Sequence, residues 1–137
     1  MNRAPAPMPQ RVSTALTAAY WGAADRGELL YQRCDACGRA QLYPGGICRG
    51  CWSTTLSYHP AAGTGTVWTF TIAEVAGHPA WQARTPYCLA IVEIDEGPRL
   101  LTQIIGGDPY AFRVGQRVRL APHAIADDGP PLRFMPC

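Results

Sequence analysis

Apolar positions recur with two different periods along this chain. Between residues 13 and 27 the spacing is helical: Leu16, Tyr20 and Ala24 follow at i, i+4 and i+8, and Trp21 widens the stripe. Ser13 or Thr14 is placed to cap that helix, and Gly27 to end it. From Gly63 onward the period falls to two. "GTVWTFTIAE" sets Trp68, Phe70 and Ile72 against Val67, Thr69 and Thr71, and "PYCLAIVEIDEG" sets Cys88, Ala90, Val92 and Ile94 against Tyr87, Leu89 and Ile91. The turn residues Asp95, Glu96, Gly97 and Pro98 lead into "PRLLTQIIGG". "GQRVRLAP" then contributes Val118 and Leu120, and "PPLRFMPC" closes with Leu132 and Phe134. Five short strands without a long helix predict a small barrel of OB type, with a turn of helix in "GDPYAFRVG" between the third and fourth strands. Residues 1–12 are rich in proline and show no period, so they read as a flexible tail.

Residues 28–60 carry neither period for long, and their order must come from elsewhere. "RCDACGRAQLYPGGICRGCW" holds two C-x-x-C pairs, Cys34 with Cys37 and Cys48 with Cys51, ten residues apart. Two such turns bring four thiolates to the corners of a tetrahedron, the geometry of closed structural zinc sites. Gly38 suits the backbone angles that point amides at sulfur, and Arg33, Arg39 and Arg49 add positive charge nearby. Iron in a rubredoxin-like electron carrier is the chemical rival, and reduced free thiols are the plain alternative. With every ligand supplied by protein, no position is open for substrate, so the metal staples and does not catalyse. The expected fold is therefore mainly β: a helix over 13–27, a rubredoxin-like zinc ribbon over 28–60, and a five-stranded OB-type barrel over 61–137.

Composition narrows the function classes. A chain of 137 residues with 47% apolar content buries one substantial core. Its formal charge is only +2, and its twelve basic residues are all arginine, scattered from Arg3 to Arg133, which argues against a nucleic-acid partner. No apolar run approaches the roughly 20 residues of a membrane-spanning helix. "MNRAPAPMPQ" lacks the continuous apolar segment of a secretory signal, so a soluble protein of the reducing cytoplasm is expected. Cys88 shares a strand face with aliphatic residues and reads as a buried filler, while the terminal Cys137 reads as exposed.

The order "YWGAADRGELLYQRCDACG", "YPGGICRGC", "GTGTVWTFT", "PYCLAIVEIDEGPRLLTQIIG" and "LRFMP" resembles the zinc-ribbon/OB-fold family associated with acyl-CoA metabolism, long catalogued as a domain of unknown function. The resemblance runs from about Ala19 to Pro136; Trp52, where members commonly have glycine, and Cys88, where an aliphatic residue is usual, depart from it. It implies a small subunit working beside a thiolase-superfamily protein. Such pairs carry out acyl transfer, thiolytic cleavage or retro-aldol cleavage of CoA thioesters, with the catalytic cysteine or its equivalents on the larger partner. The small subunit helps to shape the CoA channel.

A nucleophile of this chain's own would need a base and an orienting group. Among three histidines, His59 and His123 read as surface residues, and His78 stands in the first barrel loop with Trp81 and Arg84. No catalytic residue is assigned. For a CoA thioester, an arginine fork suits the phosphates and an apolar channel suits the pantetheine arm. Arg84 and Arg99 are the candidates for the first, and His78, Trp81 and Phe70 for the second. Tyr20, Trp21, Tyr43 and Trp52 are candidate aromatic anchors for a partner. Two alternatives stand beside the subunit reading: a free-standing acyl-CoA-binding protein, and a single-stranded nucleic-acid-binding OB domain that stacks bases on Trp68, Phe70 and Tyr87.

Overall fold

The computed structural model describes residues 6–122 and 129–137; His123 lies outside them. Helix α1 (Ala18–Asp25) starts later than the apolar spacing suggests. Thr14 and Thr17 bond each other's backbone amides, at 3.3 and 3.0 Å, and so form a turn of their own instead of capping the helix. Leu16 falls in that turn and is 47% exposed, so the buried face is Tyr20, Ala23 and Ala24. The backbone N–H groups of Gly27 and Glu28 bond back to Ala24 and Ala23, each at 2.9 Å, and the chain enters the core at Leu29.

Strands β1 (Leu30–Cys34), β2 (Ala40–Gln41) and β3 (Leu56–Pro60) form an antiparallel sheet with β1 in the middle. Five more strands follow: β4 (Thr64–Ala73), β5 (Tyr87–Ile94), β6 (Arg99–Ile104), β7 (Arg117–Leu120) and β8 (Phe134–Pro136). They close into a barrel in the order β4-β5-β6-β8-β7, with β7 pairing back onto β4. Closure removes the open sheet edges. As the pattern predicts, β5 turns Cys88, Ala90, Val92 and Ile94 inward, none more than 1% exposed. A short 3₁₀ turn, Pro109–Ala111, stands between β6 and β7 and is capped by the Asp108 carboxylate.

The pattern misleads in β4, whose register against β5 slips between Val67 and Thr69. A bulge of this kind reverses which parity faces the core. Val67 is buried before it and Phe70 and Ile72 pack on the core after it, which leaves Trp68 outside and 50% exposed. Gly65 marks a close approach: a Cβ there would lie 2.5 Å from the Glu93 carbonyl oxygen and 2.8 Å from Val92 Cγ1. One core runs through all three parts, joining Tyr20 and Ala24 of the helix, Leu29 and Tyr31 of the ribbon, and Val67, Val92, Val118 and Phe134 of the barrel. Tyr20, 3% exposed, therefore holds helix to core and is not a free anchor.

Candidate functional site

The Sγ atoms of Cys34, Cys37, Cys48 and Cys51 all lie within 4.8 Å of one another. The Cys34–Cys51 and Cys37–Cys48 pairs stand at 3.5 and 3.6 Å, close to the ~3.8 Å edge of a tetrahedron with zinc–sulfur bonds of about 2.3 Å. Each knuckle turns its amides toward its first sulfur. The N–H of Cys37 approaches Cys34 Sγ, and those of Cys51 and Gly50 approach Cys48 Sγ. These donors stabilise thiolate. The Cys34 thiol is held below its usual range chiefly by the Cys37 amide, and the Cys48 thiol is brought to about 6 by the amides of Cys51 and then Gly50. At Cys51 the Ser53 amide pulls the same way, but the Cys34 sulfur, burial and the other two sulfurs outweigh it and push the thiol up to about 12. Such crowding of negative charge calls for a cation at the centre, and four sulfurs at this spacing fit a tetrahedral metal ion.

Both knuckles turn through the left-handed region right after their second cysteine. Gly38 does so at φ 79° and Trp52 at φ 66°. The N–H of each bonds to the carbonyl of the first cysteine in its pair, at 2.8 and 2.9 Å. Trp52 thus occupies a glycine position and is left 77% exposed.

Behind the sulfurs lies a support that the sequence reading missed. Gln32 and Gln41 face each other across β1 and β2 and are only 3% and 4% exposed. Gln41 Nε2 donates to Gln32 Oε1 at 2.9 Å and to the Ile47 carbonyl at 3.2 Å, and Gln41 Oε1 accepts from Arg49 N at 3.0 Å. Gln32 clamps Gly45, accepting from its N–H at 2.9 Å and donating to its carbonyl at 3.0 Å. The two amides satisfy the loop that delivers the second knuckle. Their only sequence signal is a polar residue on an inward strand position, and that is recognisable only once the pairing is known.

The residues selected for a CoA thioester do not gather in one place. His78, Trp81 and Arg84 do stand together, on a 3₁₀ turn (Pro79–Arg84) that joins β4 to β5. His78 Nδ1 caps the turn by accepting from Ala80 N at 3.1 Å, the Arg84 guanidinium lies 5.5 Å over the Trp81 ring, and Trp81 packs against Tyr87. Trp81 and Trp21 line an open groove of about 580 Å³, with Arg11 over Trp21 at 4.9 Å. Arg99 is elsewhere. It pairs in register with Glu93, six residues along β5 from Tyr87, or about 20 Å at the rise of a strand. Phe70 is partly buried and packs against the barrel core. Nor do Trp68, Phe70 and Tyr87 make one stacking face, since Trp68 is exposed and Tyr87 is buried.

Among the other reactive groups, Cys88 is fully buried and its thiol is pushed up to about 11 by that burial, far from a thiolate nucleophile. His59, expected at the surface, is half-buried against Tyr31. Its Nε2 lies 3.1 Å from Ser57 Oγ, which also donates to Asp35 at 2.8 Å. Histidine and carboxylate share one hydroxyl here, whereas a relay would place the carboxylate on the far imidazole nitrogen.

Two family models divide the chain: "ChsH2, rubredoxin-like zinc ribbon domain" matches residues 21–57 and "ChsH2, C-terminal OB-fold domain" matches residues 58–122. A "DUF35 domain-containing scaffold protein" of Methanocaldococcus jannaschii is 30% identical over 102 residues, covering 74% of this chain and 72% of that one. The chain belongs to the DUF35 family. Its resemblance to the acyl-CoA-associated ribbon and barrel proteins is thereby shown, as are the helix, the four-cysteine ribbon and the closed five-stranded OB barrel. The ribbon match and the cysteine geometry together support zinc in a structural role in this DUF35 chain. It is also similar to a "Probable enoyl-CoA hydratase alpha subunit" of Thermomonospora curvata, 39% identical over 103 residues. That match covers 74% of this chain but 32% of the relative, so the chain spans about a third of its length. Among solved structures, an "Ltp2-ChsH2(DUF35) aldolase" superposes with a TM-score of 0.78 at 33% identity, over 93% of this chain and 98% of that one. Among the described residues, no helix is long and apolar enough to cross a membrane.

Proposed function

We propose that this DUF35 chain is a non-catalytic accessory subunit that binds a thiolase-superfamily enzyme and helps to form its acyl-CoA site. The observation that carries the reading is the likeness to the DUF35 chain of a solved aldolase, which extends over 98% of that chain. The hydratase alpha subunit among its relatives points the same way. Zinc, once bound, links the two knuckles through four thiolates, and the ribbon then presents Tyr43 and Trp52, 43% and 77% exposed, to a partner. A reducing, cytoplasmic setting suits a site that depends on free thiolates.

For the acyl-CoA itself, the end of the barrel at the Pro79–Arg84 turn is the better candidate. The groove between Trp21 and Trp81 offers apolar walls to a pantetheine arm, Arg84 and Arg11 lie over those rings, and His78 holds the turn in place. Phe70 supports the barrel beneath, and Arg99 is too distant to share the work. Tagged protein isolated from its native host is expected to retain a thiolase-superfamily protein. A monodisperse protein that retains none would overturn the subunit reading. In the reconstituted complex, Arg84→Ala is expected to raise KM for the CoA thioester about tenfold with assembly intact. Unchanged kinetics would remove Arg84 from the site.

A further inference from the structure

Arg99, separated from Arg84, is not alone. The ribbon brings Arg39 and Arg49 to the same depression, of about 410 Å³, which is lined also by Ala40 and Gln41 of β2 and by Gly97 and Pro98 of the β5–β6 turn. No carboxylate lines it. Glu93 touches it only through its ion pair with Arg99, at 2.9 Å, so three guanidinium groups meet one carboxylate. Folding gathers like charges here without the acidic residues that would compensate them, and an exposed cluster of that sign attracts anions.

Two of the three are held in advance. Arg49 donates to the backbone carbonyls of Leu42 and Tyr43 at 2.9 and 2.7 Å, which fixes it against the ribbon. The Arg99 guanidinium carbon lies over the Trp68 ring, 3.5 Å from its centroid, and its Nε donates to Glu93. This gives a physical use to the bulge that turns Trp68 out of the barrel. Arg39 is different. It is exposed, packs across Gly50, and its guanidinium has no hydrogen-bond or ion-pair partner among the described residues. Two anchored guanidiniums and one free one make a preorganised anion receptor with a closing arm, and the planar fork of arginine matches phosphoryl oxygens. A volume of this size admits more than a bare ion.

We propose that the depression between ribbon and barrel, lined by Arg39, Arg49 and Arg99, is a binding site for a phosphoryl group, carried either by free phosphate or by a nucleotide phosphomonoester. The site belongs to this chain alone and needs no partner to form. The site lies apart from the groove proposed for the acyl-CoA and does not rest on that reading.

Calorimetric titration of the zinc-loaded, full-length protein with inorganic phosphate and with adenosine 3′,5′-bisphosphate tests it. One saturable site is expected, weakening as salt is raised. Arg39→Gln, which removes the unpartnered arm and no backbone support, is expected to weaken binding about tenfold, while Arg113→Gln, an exposed arginine outside the depression, leaves it unchanged. Tighter binding of the bisphosphate marks a nucleotide ligand; equal binding marks the free anion; either supports the site. No saturable binding of either probe up to about 20 mM, an affinity too weak for a built site, would overturn it, as would equal weakening in the two variants. Because no partner is present in this titration, its failure would leave the subunit reading standing, and failure to capture a partner would leave the site standing.

Discussion

Ribbon and barrel occupy neighbouring halves of one chain and solve the same problem with different materials. Val67, Ala90, Val92, Ile94, Val118 and Phe134 fill the barrel, and hydrocarbon packing of that kind persists wherever water is the solvent. The ribbon has strands of five, two and five residues and spends its interior on sulfur and amide groups. Its buried positions include Cys34, Cys48, Gln32 and Gln41. Polar interiors gain little when paired and cost much when a partner is lost, so the ribbon is the conditional half of the molecule. Its two knuckles repeat the lesson at smaller scale, since Gly38 enters the left-handed region without penalty and Trp52 does so against its own Cβ.

The largest effect should come from the metal. Chelation, or Cys37→Ser combined with Cys51→Ser, is expected to release about one equivalent of zinc and, with it, a metal contribution on the order of 10 kcal/mol to ribbon folding. Amide exchange should then accelerate in β1–β3 while β4 and β5 stay protected. Uniform exchange across both halves would erase the distinction between them.

The matching attack on the barrel is Gly65→Ala. A Cβ at 2.5 Å from a carbonyl oxygen cannot be absorbed without moving β4 off β5, so a loss of about 3 kcal/mol or more is expected in denaturant unfolding, with the zinc content unchanged. Next in size is Gln41→Leu, nearly the same in volume. It orphans the Ile47 carbonyl and the Arg49 amide in a buried setting, at a cost of about 2 kcal/mol, and should lower zinc affinity where Gly65→Ala does not.

The smallest expected change is a gain. Trp52→Gly removes the strain of the left-handed backbone and is expected to raise the temperature of zinc-linked unfolding by the equivalent of about 1 kcal/mol. A loss in partner capture alongside that gain would show that the exposed indole is kept for contact at the expense of stability.

How far the sequence could be read follows the same division. The four metal ligands, the turn at Gly38 and the inward face of β5 were all legible, because each depends on neighbours within a few positions of one another along the chain. Spacing alone sets whether a C-x-x-C turn can present two sulfurs, and alternation alone sets which side of a strand is apolar. Leu16 and Trp68 were misplaced at the ends of that reach. A threonine turn delayed the helix and a bulge reversed the strand, and both are choices among local options that only packing decides.

Convergence was beyond it. Arg84 and Arg99 are fifteen positions apart in sequence yet lie beside opposite ends of β5, while Arg39 and Arg99, sixty apart, line one depression. Gln32 and Gln41 look like surface residues until β2 folds onto β1 and buries them against each other. By itself, then, the sequence determined the four thiolate ligands, the five barrel strands and the family to which the chain belongs. Only the tertiary structure decided which charges meet and which polar groups are buried, because those depend on the closure of long loops through space, where separation along the chain no longer measures distance.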